Sequence, residues 1–202
     1  MLFRSDDFAI DVLAHELGGS KNSRLYRRLV MKDHLVSEVN VFHESRLDPG
    51  ALFVLAELRD GVAPAKVEAA VREEIAALVE EGVAKKDFAR IRAQIRASFL
   101  FQDEAVLDLA LKLARFQALT PDGWRTLGTV LPAYEALTNK QLMATAAKYL
   151  QWDRSAWVWA IPAKTGASED KKVRGAKATG KKAAKKAAKK AAKKAAKKGK
   201  RS

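Results

Sequence analysis

The stretch L-G-G-S-K-N-S-R-L-Y-R-R-L-V, residues 17–30, decides how this chain is read. Gly18 and Gly19 stop whatever helix precedes them, because glycine weakens a helix interior and suits the residue just past its end. A second helix starts near Asn22 or Ser23 and sets Leu25, Tyr26, Leu29 and Val30 at helical spacing. Reading backwards, Ser5 can cap a helix whose first turn holds Asp6 and Asp7 at the positive end of the dipole. Phe8, Val12, Leu13 and Leu17 form its apolar face.

Reading forwards, residues 35–47 turn extended, Asp48-Pro49-Gly50 signals a turn, and residues 51–58 (A-L-F-V-L-A-E-L) read as a buried strand, which together predict a hairpin. Past Gly61 the pattern is helical. Pro64 suits a first turn, Val67, Val71, Ile75, Leu78 and Val79 make a stripe, and Gly82 closes it. A helix from about Lys86 carries Ile91, Ile95 and Phe99, and another from Glu104 carries Leu107, Leu111 and Phe116. Pro121-Asp122-Gly123 breaks the run, residues 124–136 form a helix that Pro132 interrupts, and Thr138 caps a helix over 141–149. Residues 156–161 (A-W-V-W-A-I) read as a short strand ended by Pro162. The fold class is α+β, with helices packed on one face of a small mixed or antiparallel sheet. A hairpin and one late strand leave long edges unpaired, so N-terminal strands are expected to be missing or supplied by another chain.

Of 202 residues, 38 are Lys or Arg and 24 are Asp or Glu. The excess is confined to one end: residues 163–202 hold 17 bases and 2 acids, which leaves residues 1–162 almost neutral. The organisation expected is a folded domain over 1–162 and a disordered Lys/Ala-rich tail over 163–202. There is no cysteine, which excludes disulfides, thiolate nucleophiles and cysteine-ligated zinc. Neither a signal peptide nor about 18 uninterrupted apolar residues occur, so no membrane partner and a cytoplasmic location are expected for the chain as written.

Few residues could do chemistry. His15-Glu16 begins as the zinc motif H-E-x-x-H does, but Gly19 stands where the second imidazole must face the first. His43-Glu44 has Leu47 at the matching position, and His34 stands alone. H-x-x-E-H, G-x-S-x-G and the phosphate-loop spacing do not occur, so neither a catalytic nor a metal site is expected.

The core G-G-x-x-x-S-R-L-Y, formed by Gly18, Gly19, Ser23, Arg24, Leu25 and Tyr26, resembles the loop and helix of the C-terminal, non-zinc domain of insulinase/pitrilysin-type zinc peptidases, a group that includes the mitochondrial processing peptidases. The similarity runs over about residues 5–162: D-D-F-A-I-D-V-L, the hairpin, E-E-G-V-A-K-K-D-F-A-R-I-R, L-T-N-K-Q-L-M-A-T-A-A-K-Y-L and W-V-W-A-I-P. The resemblance implies one wall of a closed chamber in which a zinc-bearing partner domain or subunit hydrolyses peptides. Zinc and its H-x-x-E-H motif would belong to that partner, and this chain would be inactive alone. Some domains of the family place an Arg and, seven residues on, a Tyr against the substrate backbone; the matching positions here are Val30 and Ser37, which cannot replace them. The domain is therefore more similar to the one that follows the zinc domain in a catalytic-type subunit. The family's domain also begins with one or two strands ahead of the Asp6-Asp7 helix.

The tail is a separate matter. Lys181, Lys182, Lys185, Lys186, Lys189, Lys190, Lys193, Lys194, Lys197, Lys198, Lys200 and Arg201 place twelve cations in a K-K-A-A repeat, similar to the tails of linker-histone-like proteins. Such a segment is expected to contact nucleic acid without sequence preference, because it carries charge but no aromatic to stack on bases.

Overall fold

The structure, a computed structural model, describes residues 5–45, 50–101 and 105–161. The Asp48-Pro49 turn and the Lys/Ala tail lie outside the described residues. The chain divides into two compact units, Met1–Trp157 and Val158–Ser202. In the second unit the described residues are 158–161, which have no regular secondary structure.

In the first unit α1 (Ser5–Gly18) is the centre of the core. Phe8, Val12, Leu13 and Leu17 are buried as their spacing predicts, and so are Ala9, Ile10 and Ala14, because α1 packs against the sheet on one side and against helices on others. Residues 26–32 continue the second helix as a π-helix, Tyr26–Lys32, with the Asp33 N–H donating to the Arg28 carbonyl at 2.8 Å. The sequence predicts helix here, and the structure shows its wider π form.

The antiparallel hairpin is β1 (Val36–Glu44) and β2 (Ala51–Leu58). Val36, Val39 and Val41 all face the core although 36 and 39 are an odd number apart. A register irregularity between Val36 and Glu38 makes this work: the extra residue flips the strand and restores the apolar face. β2 alternates, with Leu52, Val54, Ala56 and Leu58 half-buried and Phe53 and Leu55 on the outer face, where Phe53 stacks on Phe42 at 5.1 Å.

Helices α2 (Pro64–Glu81), α3 (Lys85–Phe101), α4 (Val106–Leu119), α5 (Leu127–Ala136) and α6 (Asn139–Tyr149) follow. Pro64 opens α2 and Gly82 closes it with φ of 72°. Thr138 caps α6 in a full capping box with Gln141. Three expectations are corrected. Pro132 does not interrupt residues 124–136: a 3-10 turn, Gly123–Thr126, leads directly into α5 and Pro132 lies inside that helix, with Gly128 four residues back. On α4 the expected stripe is not buried, since Leu107 and Leu111 are 67% and 60% exposed and only Phe116 is covered. No strand forms at residues 156–161, which have no regular secondary structure, and the sheet among the described residues is the β1-β2 pair.

Candidate functional site

The glycine loop is built on close approach. A Cβ on Gly18 would stand 2.8 Å from both the Cβ and the backbone nitrogen of Val41, so only glycine lets the end of α1 lie on β1. A Cβ on Gly19 would meet His15 Nδ1 at 2.5 Å. Ser23 and Leu25 are fully buried, and the Ser23 N–H donates to the Ser20 carbonyl at 3.0 Å, which closes the loop. Tyr26 is half-buried at the start of the π-helix.

Arg24 ties this loop to a distant part of the chain. Its Nε donates to Glu16 Oε1 at 3.1 Å, its Nη2 to the Gly82 carbonyl at 2.9 Å, and its Nη1 to Glu81 Oε2 at 3.3 Å. One guanidinium thus joins α1 to the carboxyl end of α2, where a cation also meets the negative end of the helix dipole. Glu16 is 1% exposed, and its second oxygen lies 3.8 Å from Arg90 Nη2. Burial pushes the Glu16 carboxyl above the usual range, and the Arg24 hydrogen bond pulls it only part of the way back. Arg28, one turn on, reaches Asp33 and Glu74 at 3.2 Å each and also Glu73, and these acids hold its proton more tightly than usual despite an opposing desolvation contribution.

The residues that match the family's substrate-gripping pair point elsewhere. Val30 is buried, and Ser37 Oγ donates to Glu57 Oε2 at 3.0 Å across the irregular end of the hairpin.

A cavity of about 450 Å³ beside the loop gathers Asp11, His15, Gly19, His43 and Tyr134. Asp11 is its polar centre: Oδ1 is 2.8 Å from His43 Nδ1 and Oδ2 accepts from the Tyr134 hydroxyl at 2.6 Å. Burial draws His43 down, but the hydrogen bond and charge of Asp11, with Asp7 behind it, outweigh this and raise it. The Tyr134 phenol is pushed well up by burial and by Asp11. His15 is lowered, by burial first, with Arg90 adding and Asp11 opposing. The spacing of Asp11 and His15 on one helix face was readable in the sequence; nothing there linked them to His43 or Tyr134. Two imidazoles and a carboxylate therefore share one cavity, yet His43 spends its Nδ1 on Asp11, and among the described residues no group of three His, Asp or Glu could hold a metal ion. The residues do not fit zinc. Tyr134 is held protonated, and the buried Ser23 hydroxyl has no hydrogen-bond partner among the described residues, so neither is an activated nucleophile.

Residues 4–95 match the family model of the peptidase M16 inactive domain. The chain carries an M16 inactive domain. This is the C-terminal type of domain in the insulinase/pitrilysin family, and the Gly18-to-Tyr26 motif that carries the resemblance lies inside the matched segment. Solved structures agree in fold. An inactive peptidase domain from Bordetella parapertussis superposes with a TM-score of 0.72 at 20% identity, over 80% of this chain and 87% of that one. A protease from Helicobacter pylori gives 0.67 at 19% identity, over 74% of this chain and 36% of its own. An M16 inactive domain from Pseudomonas fluorescens gives 0.61 at 19%, over 72% and 34%. This M16 domain thus spans about a third of the length of the latter two chains. No curated protein sequence matches it.

Proposed function

We propose that this chain is the non-catalytic wall of a two-part peptide-hydrolysing chamber, completed by a zinc-bearing M16 domain or subunit that holds H-x-x-E-H. The observation that carries the reading is the M16 inactive-domain match over residues 4–95 joined to a site whose charged groups are spent on one another. Arg24, Glu16 and the Asp11 cluster fix the shape of a wall and leave nothing to attack a peptide. The outer face of the hairpin, with Phe42, Phe53 and Leu55, is a surface suited to lie against peptide. The test is reconstitution: the purified chain alone neither retains zinc after dialysis nor cleaves a fluorogenic peptide mixture, and co-expression with an H-x-x-E-H half produces cleavage that 1,10-phenanthroline stops. Stoichiometric zinc and cleavage by the chain alone would overturn the reading.

The segregated charge of the sequence supports a second role for the same chain. Twelve cations between Lys181 and Arg201 give a polyanion-binding arm that would hold the wall on nucleic acid without reading its sequence. A chain ended at Pro162 then fails to retard duplex DNA in a gel. Full-length binding weakens by orders of magnitude between about 50 and 200 mM salt. Retardation by the shortened chain would assign the binding to the folded part instead.

A further inference from the structure

The outer face of the hairpin carries charge as well as rings. In the register of the two strands Glu38 stands directly opposite Glu57, Asn40 opposite Leu55 and Phe42 opposite Phe53. All six are exposed, and because the side chains of a strand alternate they share the face turned away from α1, on which Val39 and Val41 are packed. Like charges directly opposite on neighbouring strands repel, with side chains about 5 Å apart, so the Glu38–Glu57 pair weakens the hairpin that carries it. The pair is nevertheless held in place. The irregularity between Val36 and Glu38 leaves Ser37 exposed on the same side, where its hydroxyl donates to Glu57 Oε2 at 3.0 Å. No basic side chain among the described residues forms an ion pair with either carboxylate, and Arg59, the base nearest Glu57 in sequence, donates its Nε to the Val36 carbonyl at 3.1 Å.

We infer that this face docks an extended peptide bearing a cationic side chain four residues from an aromatic or large apolar one, the cation over Glu38 and Glu57 and the apolar group over Phe42 and Phe53. In taking that peptide to be the substrate of the chamber, it rests on the reading above. Charge complementarity names the occupant: one ammonium or guanidinium set between the two carboxylates turns their mutual repulsion into attraction. Phe42 and Phe53, stacked at 5.1 Å, offer a flat apolar surface to the other side chain. The strands set the spacing. On each of them the acid and the ring are four residues apart, roughly 14 Å at about 3.4 Å per residue. An extended peptide lying along the strands has the same rise, so its residues n and n+4 face the sheet together and n+2 lies over Asn40 and Leu55. A second copy of the hairpin fits poorly, because face to face it would set each acid pair over the acids or the rings of the other and bury charge without a cation. Phosphates of a nucleic acid are repelled by the same carboxylates.

The probe is the peptide acetyl-Thr-Lys-Thr-Thr-Thr-Phe-Thr-amide added to the full chain, read by NMR shifts of the Phe42, Phe53 and Leu55 side chains. These shifts should saturate, and affinity should fall about tenfold when Glu replaces Lys in the peptide. A peptide with Lys and Phe three residues apart, whose two side chains face opposite ways, should lose as much. The double variant Glu38→Gln with Glu57→Gln should bind the Lys peptide about tenfold more weakly while its Tm holds or rises, because the repulsion is gone. Glu38→Lys with Glu57→Lys should reverse the preference, towards the Glu peptide. Equal affinity for the Lys and Glu peptides, shifts confined to other parts of the chain, or no reversal in the Lys variant overturns the docking face. Shifts of the same side chains that grow with the concentration of the chain alone overturn it in favour of a second copy. With the H-x-x-E-H half present, the Lys peptide should be cleaved at the lower KM. Binding with the stated preference but no cleavage would keep the docking face and remove the chamber, whereas cleavage indifferent to the Lys-to-Glu exchange would keep the chamber and remove the face from its substrate selection.

Discussion

Arg24 and Glu16 show most clearly what a single residue contributes. The Glu16 side chain is 1% exposed and that of Arg24 13%, so removing the guanidinium leaves a carboxylate with too little to offset its lost hydration. Arg24→Ala should cost about 3–5 kcal/mol in chemical denaturation. Arg24→Lys should recover only part of this, because a point charge cannot reach Glu16, Glu81 and the Gly82 carbonyl together. His43 gives a pH-dependent counterpart. Its folded-state pKa is raised, so the Asp11 tie stabilises fully below about 6.5, the unfolded value, and is lost as pH rises through the folded value. His43→Gln should therefore lower Tm clearly at pH 5.5, by a loss of about 1–2 kcal/mol, and much less at pH 8.5. An equal loss at both pH values would mean that the imidazole contributes packing and not charge. At this scale the sequence marked Arg24 by motif but gave no sign of its partners, since Glu81 and Gly82 lie more than fifty positions away.

Whole elements were read with uneven success, and the failures share a cause. α1, the hairpin, α2 and α6 carry their own start and stop signals, and Thr138 with Gln141 or Pro64 with Gly82 act within a turn of themselves. The π-helix, the continuation through Pro132 and the irregular segment at 156–161 carry no such local signal. α4 makes the point testable. It has helical spacing, but Leu107 and Leu111 face outwards while Phe116, 6% exposed, is the anchor. Leu107→Gln should change stability by no more than about 0.5 kcal/mol in urea titration. Phe116→Ala should cost about 3–5 kcal/mol. A large loss from Leu107→Gln would show that its face is covered in solution.

Over the whole molecule, the charge is gathered at one end of the sequence. Residues 1–162 are nearly neutral and residues 163–202 hold the excess. Ending the chain at Pro162 should leave the thermal transition within about 2 °C of full length by calorimetry, since within the described residues the core is built from α1, the hairpin and the helices packed on them. A two-stranded sheet is marginal by itself, and here its stability comes from α1 lying across it. No helix among the described residues is long and apolar enough to cross a membrane.

The sequence alone determined the α+β class, the glycine-stopped helix, the hairpin, the capped helices and the family, because each rests on signals within a few residues of one another. Only the tertiary structure decided that Glu16 belongs to Arg24 and His43 to Asp11, and that the Leu107 and Leu111 stripe faces out. Burial and pairing are relations between segments far apart in the chain, and their free energy exists only once the backbone has brought those segments together.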